Sequence, residues 1–314
     1  MQPWPSARMS DSSILIGAKQ LKAFAADVFV SAGVSVPDAE CWADVLVWAE
    51  LRGAESHGVL RIPRYVERID ECRINLKPKM RVERSTGPTL VVEADFAPGP
   101  VGMCFATDEA IHCANRSQIG WCVVRNITHC GAIGYYALRA ARKGMAAIVM
   151  SASSPMMAYQ GSRESAVSTN PIALAVPGSK HAPLLLDMST AIAGRGKVLH
   201  AIANGANIPA DWGLDEKGRP TTDPNEVATL LPLGGAKGSS LSLMIECFTS
   251  LFVNNAILEP ALAGRGLHSR TMNGLVVAID IAAFGDADLF CAEVDALAGV
   301  IGGLPRADSV AQIY

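Results

Sequence analysis

Residues 123–141 read "VVRNITHCGAIGYYALRAA", and the fold class turns on them. The run from Gly120 to Asn126 has the β-branched, apolar make-up of a buried strand. An Asn-x-x-His turn follows, and Gly131 and Gly134 open a stretch with apolar residues at helical spacing. A strand passing through a glycine-bearing turn into a helix points to an α/β domain. Ligands collect beyond the C-terminal ends of such strands, and a helix N-terminus favours anions. His129 stands in that space, either facing a ligand or only capping a helix end.

The same grammar extends in both directions. "TLVVEA" (89–94), "AAIVMSA" (146–152), "PIALAVP" (171–177), "PLLLDMS" (183–189) and "NGLVVAIDI" (273–281) read as strands, and "GPVGMCFATDEAIHCANRS" (99–117) as a helix. Residues 12–55 read as helices, with Asp11 or Ser12 as a cap and Gly33 as a stop; a further helix is expected from Arg64 to Glu71. Helical patterns return over 190–204 and 238–262, and "DADLFCAEVDALAGVIGGL" (286–304) reads as a closing helix. Strand–helix alternation is only partial, which argues against a regular doubly wound sheet. The expected organisation is a helical N-terminal lobe (12–80) joined by the C-terminal helix (285–314), a sheet domain (81–203 with 270–284) and a small helical domain (204–269).

Composition narrows the function. Of 314 residues, 50% are hydrophobic and only 18% charged, which describes a well-buried globular protein. A net charge of -3 without blocks of like charge gives no footprint for nucleic acid or for an anionic membrane. The 8 Cys include no Cys-x-x-Cys pair and lie mostly in apolar runs, as buried thiols of a reducing cytoplasm would; they do not cluster with His at zinc spacing. The N-terminus lacks the apolar core of a secretory signal and reads as a frayed extension in which Met9 is an alternative start. "LSLMIECFTSLFVNNAIL" (241–258) carries Glu246 and reads as a buried helix, not a membrane span. A soluble, cytoplasmic protein is expected.

No G-x-G-x-x-G and no Walker loop occur. "LPLGGAKGSS" (231–240) offers glycines and Lys237 at a helix start, either a phosphate cradle or a plain turn. "VSTNPIALAVPG" (167–178) sets Thr169 and Asn170 before a strand, and "LLLDMSTAIAGRGK" (184–197) ends a strand on Asp187, a carboxylate that needs partners. Arg195 and Lys197 follow it as candidate phosphate contacts. In "AESHGVLRIPRY" (54–65), His57 suits proton transfer near neutral pH, and Arg61 suits bidentate capture of a carboxylate. A Ser-His hydrolase pair is disfavoured: sequence-adjacent side chains rarely point at each other, and no Gly-x-Ser-x-Gly elbow exists.

Taken in order, "ESHGVLRIPRY", "NITHCGAIGYYA", "STNPIALAVPG", "LLLDMSTAIAGRGKV", "GLDEKGRPTTDP", "LLPLGGAKG" and "NGLVVAIDIAAF" resemble the malate/L-lactate dehydrogenase family. Its relatives include ureidoglycolate, sulfolactate and diketogulonate oxidoreductases and the Δ1-piperideine-2-carboxylate reductases. The resemblance implies a non-Rossmann, mixed and largely antiparallel sheet that binds the dinucleotide, and a homodimer. It implies NAD(P)-dependent hydride transfer to C2 of a small 2-oxo carboxylate; between the cofactors, Arg195 tilts the reading slightly towards NADP. A cyclic 2-imino acid substrate is the alternative, and a non-catalytic nucleotide-binding member the second alternative. By the same resemblance His57 is the proton donor/acceptor, Ser56 its hydrogen-bonding neighbour and His129 a second catalytic candidate. Arg61, Tyr65, Thr169 and Asn170 fall on the substrate side. Ser153, Asp187, Met188, Ser189, Arg195, Lys237 and Gly238 fall on the cofactor side, and no metal is implied.

Four departures bear on the site. Ser240 stands where the family usually has Gly, and Cys130 interrupts the usual His-Phe-Gly. Relatives continue into a Pro-Gly-Glu segment, whereas this sequence ends at "PRADSVAQIY", which implies truncation or a differently closed site. Position 197 is Lys where the piperideine-2-carboxylate reductases carry Asp, which tilts the reading towards a 2-oxo acid.

Overall fold

In a computed structural model, residues 15–265 and 271–307 are described. Met9 and the expected caps Asp11 and Ser12 lie outside them, as does the end of the closing segment. The chain opens with α1 (Ala18–Ser31) and α2 (Val36–Leu51), then two short 3-10 turns (Glu55–His57 and Val59–Arg61) and α3 (Ile62–Asp70). Strands β1 (Arg81–Thr86) and β2 (Thr89–Glu93) lead into α4 (Gly99–Ser117), β3 (Ile119–Ile127), α5 (Gly134–Ala141) and β4 (Met145–Ala152). Next come β5 (Met157–Ala158), β6 (Ser165–Val167), β7 (Ile172–Val176), β8 (Leu184–Met188) and α6 (Arg195–Ala203). The chain continues through β9 (Gly213–Leu214), β10 (Thr229–Leu230), α7 (Ala236–Thr249), α8 (Leu258–Leu262), β11 (Met272–Asp280) and α9 (Ala287–Gly302).

A seven-stranded sheet of order β1-β2-β3-β11-β4-β7-β8 forms the centre. Only β2 and β3 pair in parallel, joined by α4; every other neighbour in this sheet is antiparallel. This is the mixed, largely antiparallel sheet that the resemblance implied. Strand β11 and the middle of β3 are buried on both faces, β4 is buried on one face and half-buried on the other, and β7 buries Ala173 and Ala175 while Leu174 is exposed. On one side Cys122, Val124, Val149 and Val276 pack with α4 and α5; on the other Val123, Leu275 and Val277 pack towards Phe248 and Val253. Strands covered on both faces read as continuous apolar runs, which is why β3 and β11 were legible.

Two further cores flank the sheet. In the N-terminal helices, Phe29 stacks on Trp42 at 4.1 Å, and Tyr65 meets Trp42 edge-on at 4.9 Å. A second sheet of order β6-β5-β10-β9 packs with α6 through Met157, Val167, Val198 and Leu230. Two of its strands lie within 204–269, alongside the helices read there. Helix α9 is tied at Asp295, whose carboxylate accepts the backbone N–H of Ser179 and Lys180 in the β7–β8 turn.

The antiparallel topology brings chain-distant segments to one edge. The C-terminal ends of β3, β4 and β8 lie beside the N-terminal ends of β7 and β11. His129, Ser153, Thr169, Asp187 and Met272 therefore share a rim, with the 3-10 turns facing it from the helical lobe and α6 from the second sheet.

Candidate active site

A cavity of about 440 Å³ opens along this rim. His57, Arg61, His129, Ser153, Thr169, Asp187, Met188, Ser189 and Arg195 all line it, so residues spread over most of the chain meet in one cavity. Ser56, Tyr65 and Asn170 stand directly behind the wall.

The His57 turn is built from short-range constraints. Glu50, at the end of α2, accepts the Val59 N–H at 2.7 Å. A Cβ on Gly58 would lie 2.1 Å from the Glu50 carboxylate, so a larger residue in "SHG" would displace that carboxylate from the Val59 N–H. Arg61 donates its Nε to the Ser56 carbonyl at 2.6 Å, which locks the turn and leaves its two terminal nitrogens for an acid. Contrary to the expectation for adjacent residues, Ser56 Oγ and His57 Nδ1 do meet, at 2.9 Å. The tight 3-10 geometry folds the two side chains onto each other. Nε2 is then the His57 nitrogen left for the cavity. Ser56 also packs against Gly196 of α6, where a Cβ would lie 2.2 Å from the Ser56 Cβ.

His129 follows β3 and stacks on His57, with ring centroids 5.7 Å apart. Its Nδ1 lies 2.7 Å from Tyr65 Oη and receives the Gly131 N–H at 3.3 Å. A backbone N–H can only donate, so Nδ1 is an acceptor and Tyr65 donates to it as well. The neutral ring then carries its proton on Nε2 and offers a hydrogen bond to the cavity. Gly131 adopts φ +69°, a left-handed conformation that suits glycine at this turn.

Electrostatics keep both imidazoles neutral before an acid enters. Burial, and then the Arg61 guanidinium, push His57 down to about 4 from 6.5. His129 is pushed well down by burial, then by Arg61, His57 and Arg68. Burial raises Tyr65, which keeps its phenol protonated as the donor to His129. It likewise pushes the Cys130 thiol up to about 11, so Cys130 is an inert wall residue bonded to Ser151.

Around Asp187 the cavity wall carries fixed polar groups. Asp187 accepts the Gly134 N–H at 2.9 Å, so the anion at the N-terminus of α5 is this chain's own carboxylate. Burial raises its pKa against that hydrogen bond. Fully buried Asn170 accepts the Ser153 N–H at 3.1 Å and donates to the Ser242 carbonyl at 3.0 Å, joining β4, β7 and α7. Ser189 donates to the Thr169 carbonyl at 3.1 Å.

Lys237 and Gly238 do not line the cavity. Lys237 is exposed in the first turn of α7. Gly238 is small because a Cβ would lie 2.4 Å from the Thr190 carbonyl, which is a packing reason. Lys197 turns towards Trp212, with its ammonium 5.9 Å from the ring centroid. Ser240 Oγ reaches Tyr159 Oη at 3.5 Å. The cavity also recruits Arg68, which sequence reasoning passed over. Its signal was periodicity: Arg61, Tyr65 and Arg68 recur at the spacing of one helix face.

A cation able to anchor an acid, next to imidazoles able to exchange a proton, suits an oxidoreductase of small acids. A hydrolase would need its serine free, whereas Ser56 is pressed against α6. Comparison with known proteins agrees with this class. A sequence model described as malate/L-lactate dehydrogenase matches residues 16–314. The ureidoglycolate dehydrogenase (NAD(+)) of Escherichia coli O157:H7 is 34% identical over 291 residues, covering 90% of this chain and 82% of that protein. The malate dehydrogenase structure from Pyrococcus horikoshii OT3 superposes with a TM-score of 0.86 at 32% identity, covering 97% of this chain and 86% of that one. The Δ1-piperideine-2-carboxylate reductase of Pseudomonas syringae pvar. tomato gives 0.83 at 26% identity, with coverage of 94% and 90%. The chain belongs to the malate/L-lactate dehydrogenase family, and is an NAD(P)-dependent oxidoreductase.

Proposed function

We propose that the protein transfers a hydride between NAD(P)H and C2 of a 2-oxo acid, giving the 2-hydroxy acid, with the cavity above as its active site. The observation that carries this reading is the juxtaposition of Arg61, His57 and His129 at one end of a hydroxyl-lined cleft. Arg61 binds the substrate carboxylate and so fixes the position of C2. His57 gives its Nε2 proton to the oxygen developing charge at C2, and takes it back in the oxidative direction. The incoming carboxylate offsets the Arg61 charge that holds the imidazole neutral, so binding itself favours the protonated donor. His129 Nε2–H donates to the same oxygen, held in that tautomer by Tyr65 and Gly131. Ser56 orients His57 through Nδ1.

The donor set around Asp187 fits a dinucleotide: the hydroxyls of Ser153 and Ser189 and the Asp187 carboxylate suit ribose, and Arg195 suits a phosphate, with Thr169 facing the substrate. Met188 would flank it, with Lys237 and Gly238 further out. A bound NAD(P)H supplies the hydride. Arg195 favours the extra phosphate of NADP by a small margin. Reduction of a cyclic 2-imino acid is the second reading, favoured by the likeness to the piperideine-2-carboxylate reductase structure. Lys197, which points at Trp212 instead of presenting a carboxylate to the turn, favours the first.

We infer a homodimer: Phe284, Leu289, Leu297 and Val300 are 77%, 58%, 56% and 68% exposed, more apolar surface than a helix facing water normally carries. Among the described residues no helix is long and apolar enough to cross a membrane, and every Cys is a free thiol; both support a cytoplasmic site of action. Initial rates with pyruvate, oxaloacetate, sulfopyruvate and Δ1-piperideine-2-carboxylate, each with NADH and NADPH, test the activity. Reduction of a 2-oxo acid supports it, and turnover of the imine alone replaces it with the second reading.

A further inference from the structure

Among the described residues, Arg68 is a guanidinium without a hydrogen-bond or ion-pair partner on the wall of the cavity. It projects from α3 on the face shared by Arg61 and Tyr65. Its Nε is buried and has no hydrogen-bond partner, and no ion pair to it exists among the described residues. Arg64, by contrast, is exposed and paired with Glu67 at 2.7 Å. Arg68 is thus a half-buried cation whose donors are left unused, a costly arrangement unless something else satisfies them.

The charge around it is one-sided. Burial and the neighbouring Arg64, Arg73 and Arg61 all disfavour its charged form, and Tyr65 gives the one opposing influence. Among the described residues Asp187 is the one carboxylate on the cavity wall, and it is engaged by Gly134 and lies in the field of Arg52. Arg61 and Arg68 both act on His129, which puts them at the imidazole end, away from the hydroxyls assigned to the cofactor. One carboxylate suffices for Arg61. A second guanidinium at the same end calls for a second anionic group.

We propose that Arg68 is a specificity-determining residue that binds a second acidic group, carboxylate or sulfonate, on the far side of C2, so that the site selects dianionic 2-oxo acids over monoanionic ones. This rests on the hydride-transfer reading of the same cavity. Arg61 takes the carboxylate next to the reacting carbon and Arg68 the distal acid. Such a dianion would pair with the Arg68 guanidinium at the cavity wall and offset both charges that depress the imidazoles.

The test compares kcat/KM for oxaloacetate and sulfopyruvate with that for pyruvate and 2-oxobutyrate in the wild type, R68Q and R68K. A charge-assisted hydrogen bond is worth about 10- to 100-fold in affinity. The dianion-to-monoanion ratio should therefore fall by about that factor in R68Q and be largely kept in R68K. The relative rates with oxaloacetate and sulfopyruvate decide which distal acid is preferred. Calorimetric titration with succinate and butyrate runs alongside and needs no turnover. If no 2-oxo acid is reduced, the hydride-transfer reading fails, while tighter binding of succinate that is lost in R68Q still upholds the assignment of Arg68. A ratio that R68Q leaves unmoved, or equal binding of succinate and butyrate by the wild type, overturns it. So does an R68Q effect confined to the KM of NAD(P)H.

Discussion

Replacing Gly196 with Ala tests whether the contact between α6 and the catalytic turn sets the geometry of the site. The new Cβ would fall 2.2 Å from the Ser56 Cβ and 3.3 Å from the Ser56 Cα. Ordinary carbon contacts begin near 3.5 Å, so α6 and the turn must separate by about 1 Å or more. Ser56 holds His57, and Arg195 adjoins Gly196, so that separation pulls the proton donor away from the cofactor side. A misplacement of about 1 Å can cost on the order of 100-fold in rate. Gly196 has no left-handed backbone, so Ala brings no conformational strain of its own and the chain should still fold. Steady-state kinetics of G196A should therefore show kcat reduced by about 100-fold, with a melting temperature close to that of the wild type. The same change in an S56G background, where the opposing Cβ is gone, should cost several-fold less. Unaltered kcat in G196A, or an equal penalty in both backgrounds, would refute the contact's role.

Other predictions follow the same reasoning. N170A strips partners from the Ser153 N–H and the Ser242 carbonyl, both at a fully buried side chain, and should lower unfolding free energy by about 2 to 4 kcal/mol in denaturant titration. The pH dependence has a definite sign. With His57 at about 4 in the folded protein and 6.5 unfolded, the unfolded chain binds more protons between those values, so stability falls as pH drops from about 6.5 to 4. Thermal melts should show H57Q losing less stability than the wild type over that window. In the oxidative direction, which needs the neutral imidazole, kcat/KM should stay level above about pH 5 and decline below it.

The central sheet was legible because its strands keep apolar runs bounded by Gly, Pro or Asn, even in β7 and β8 where Leu174, Leu184 and Leu186 are exposed, and α4 and α5 because they carry helical periodicity between them. Strand β1, "RVERST", escaped since it is an almost wholly exposed, charged edge strand. Strands β5, β6, β9 and β10 span two or three residues each, too short for any period to register. Within the site, the phrases around His57, His129, Thr169 and Asp187 stood out because glycine, proline and polar residues interrupt apolar runs there. Arg68 had no such frame: a lone arginine on an amphipathic helix looks like solvated surface until the fold turns that face inward. The Ser56–His57 contact was discounted for a similar reason, since it depends on a 3-10 turn that sequence spacing does not announce. The glycine and lysine of "LPLGGAKG" suggested a phosphate cradle, but Gly238 is accounted for by the close approach of the Thr190 and Leu233 backbone.

The most direct measurement of the central claim is the reduction of a 2-oxo acid by H57A, paired with a fluorescence titration of NADH and NADPH on the same protein. Loss of the proton donor should lower kcat by about 10²- to 10⁴-fold while the cofactor titration stays close to that of the wild type. Turnover of H57A at the wild-type rate would contradict the assignment of His57 and the reading of the cavity built on it.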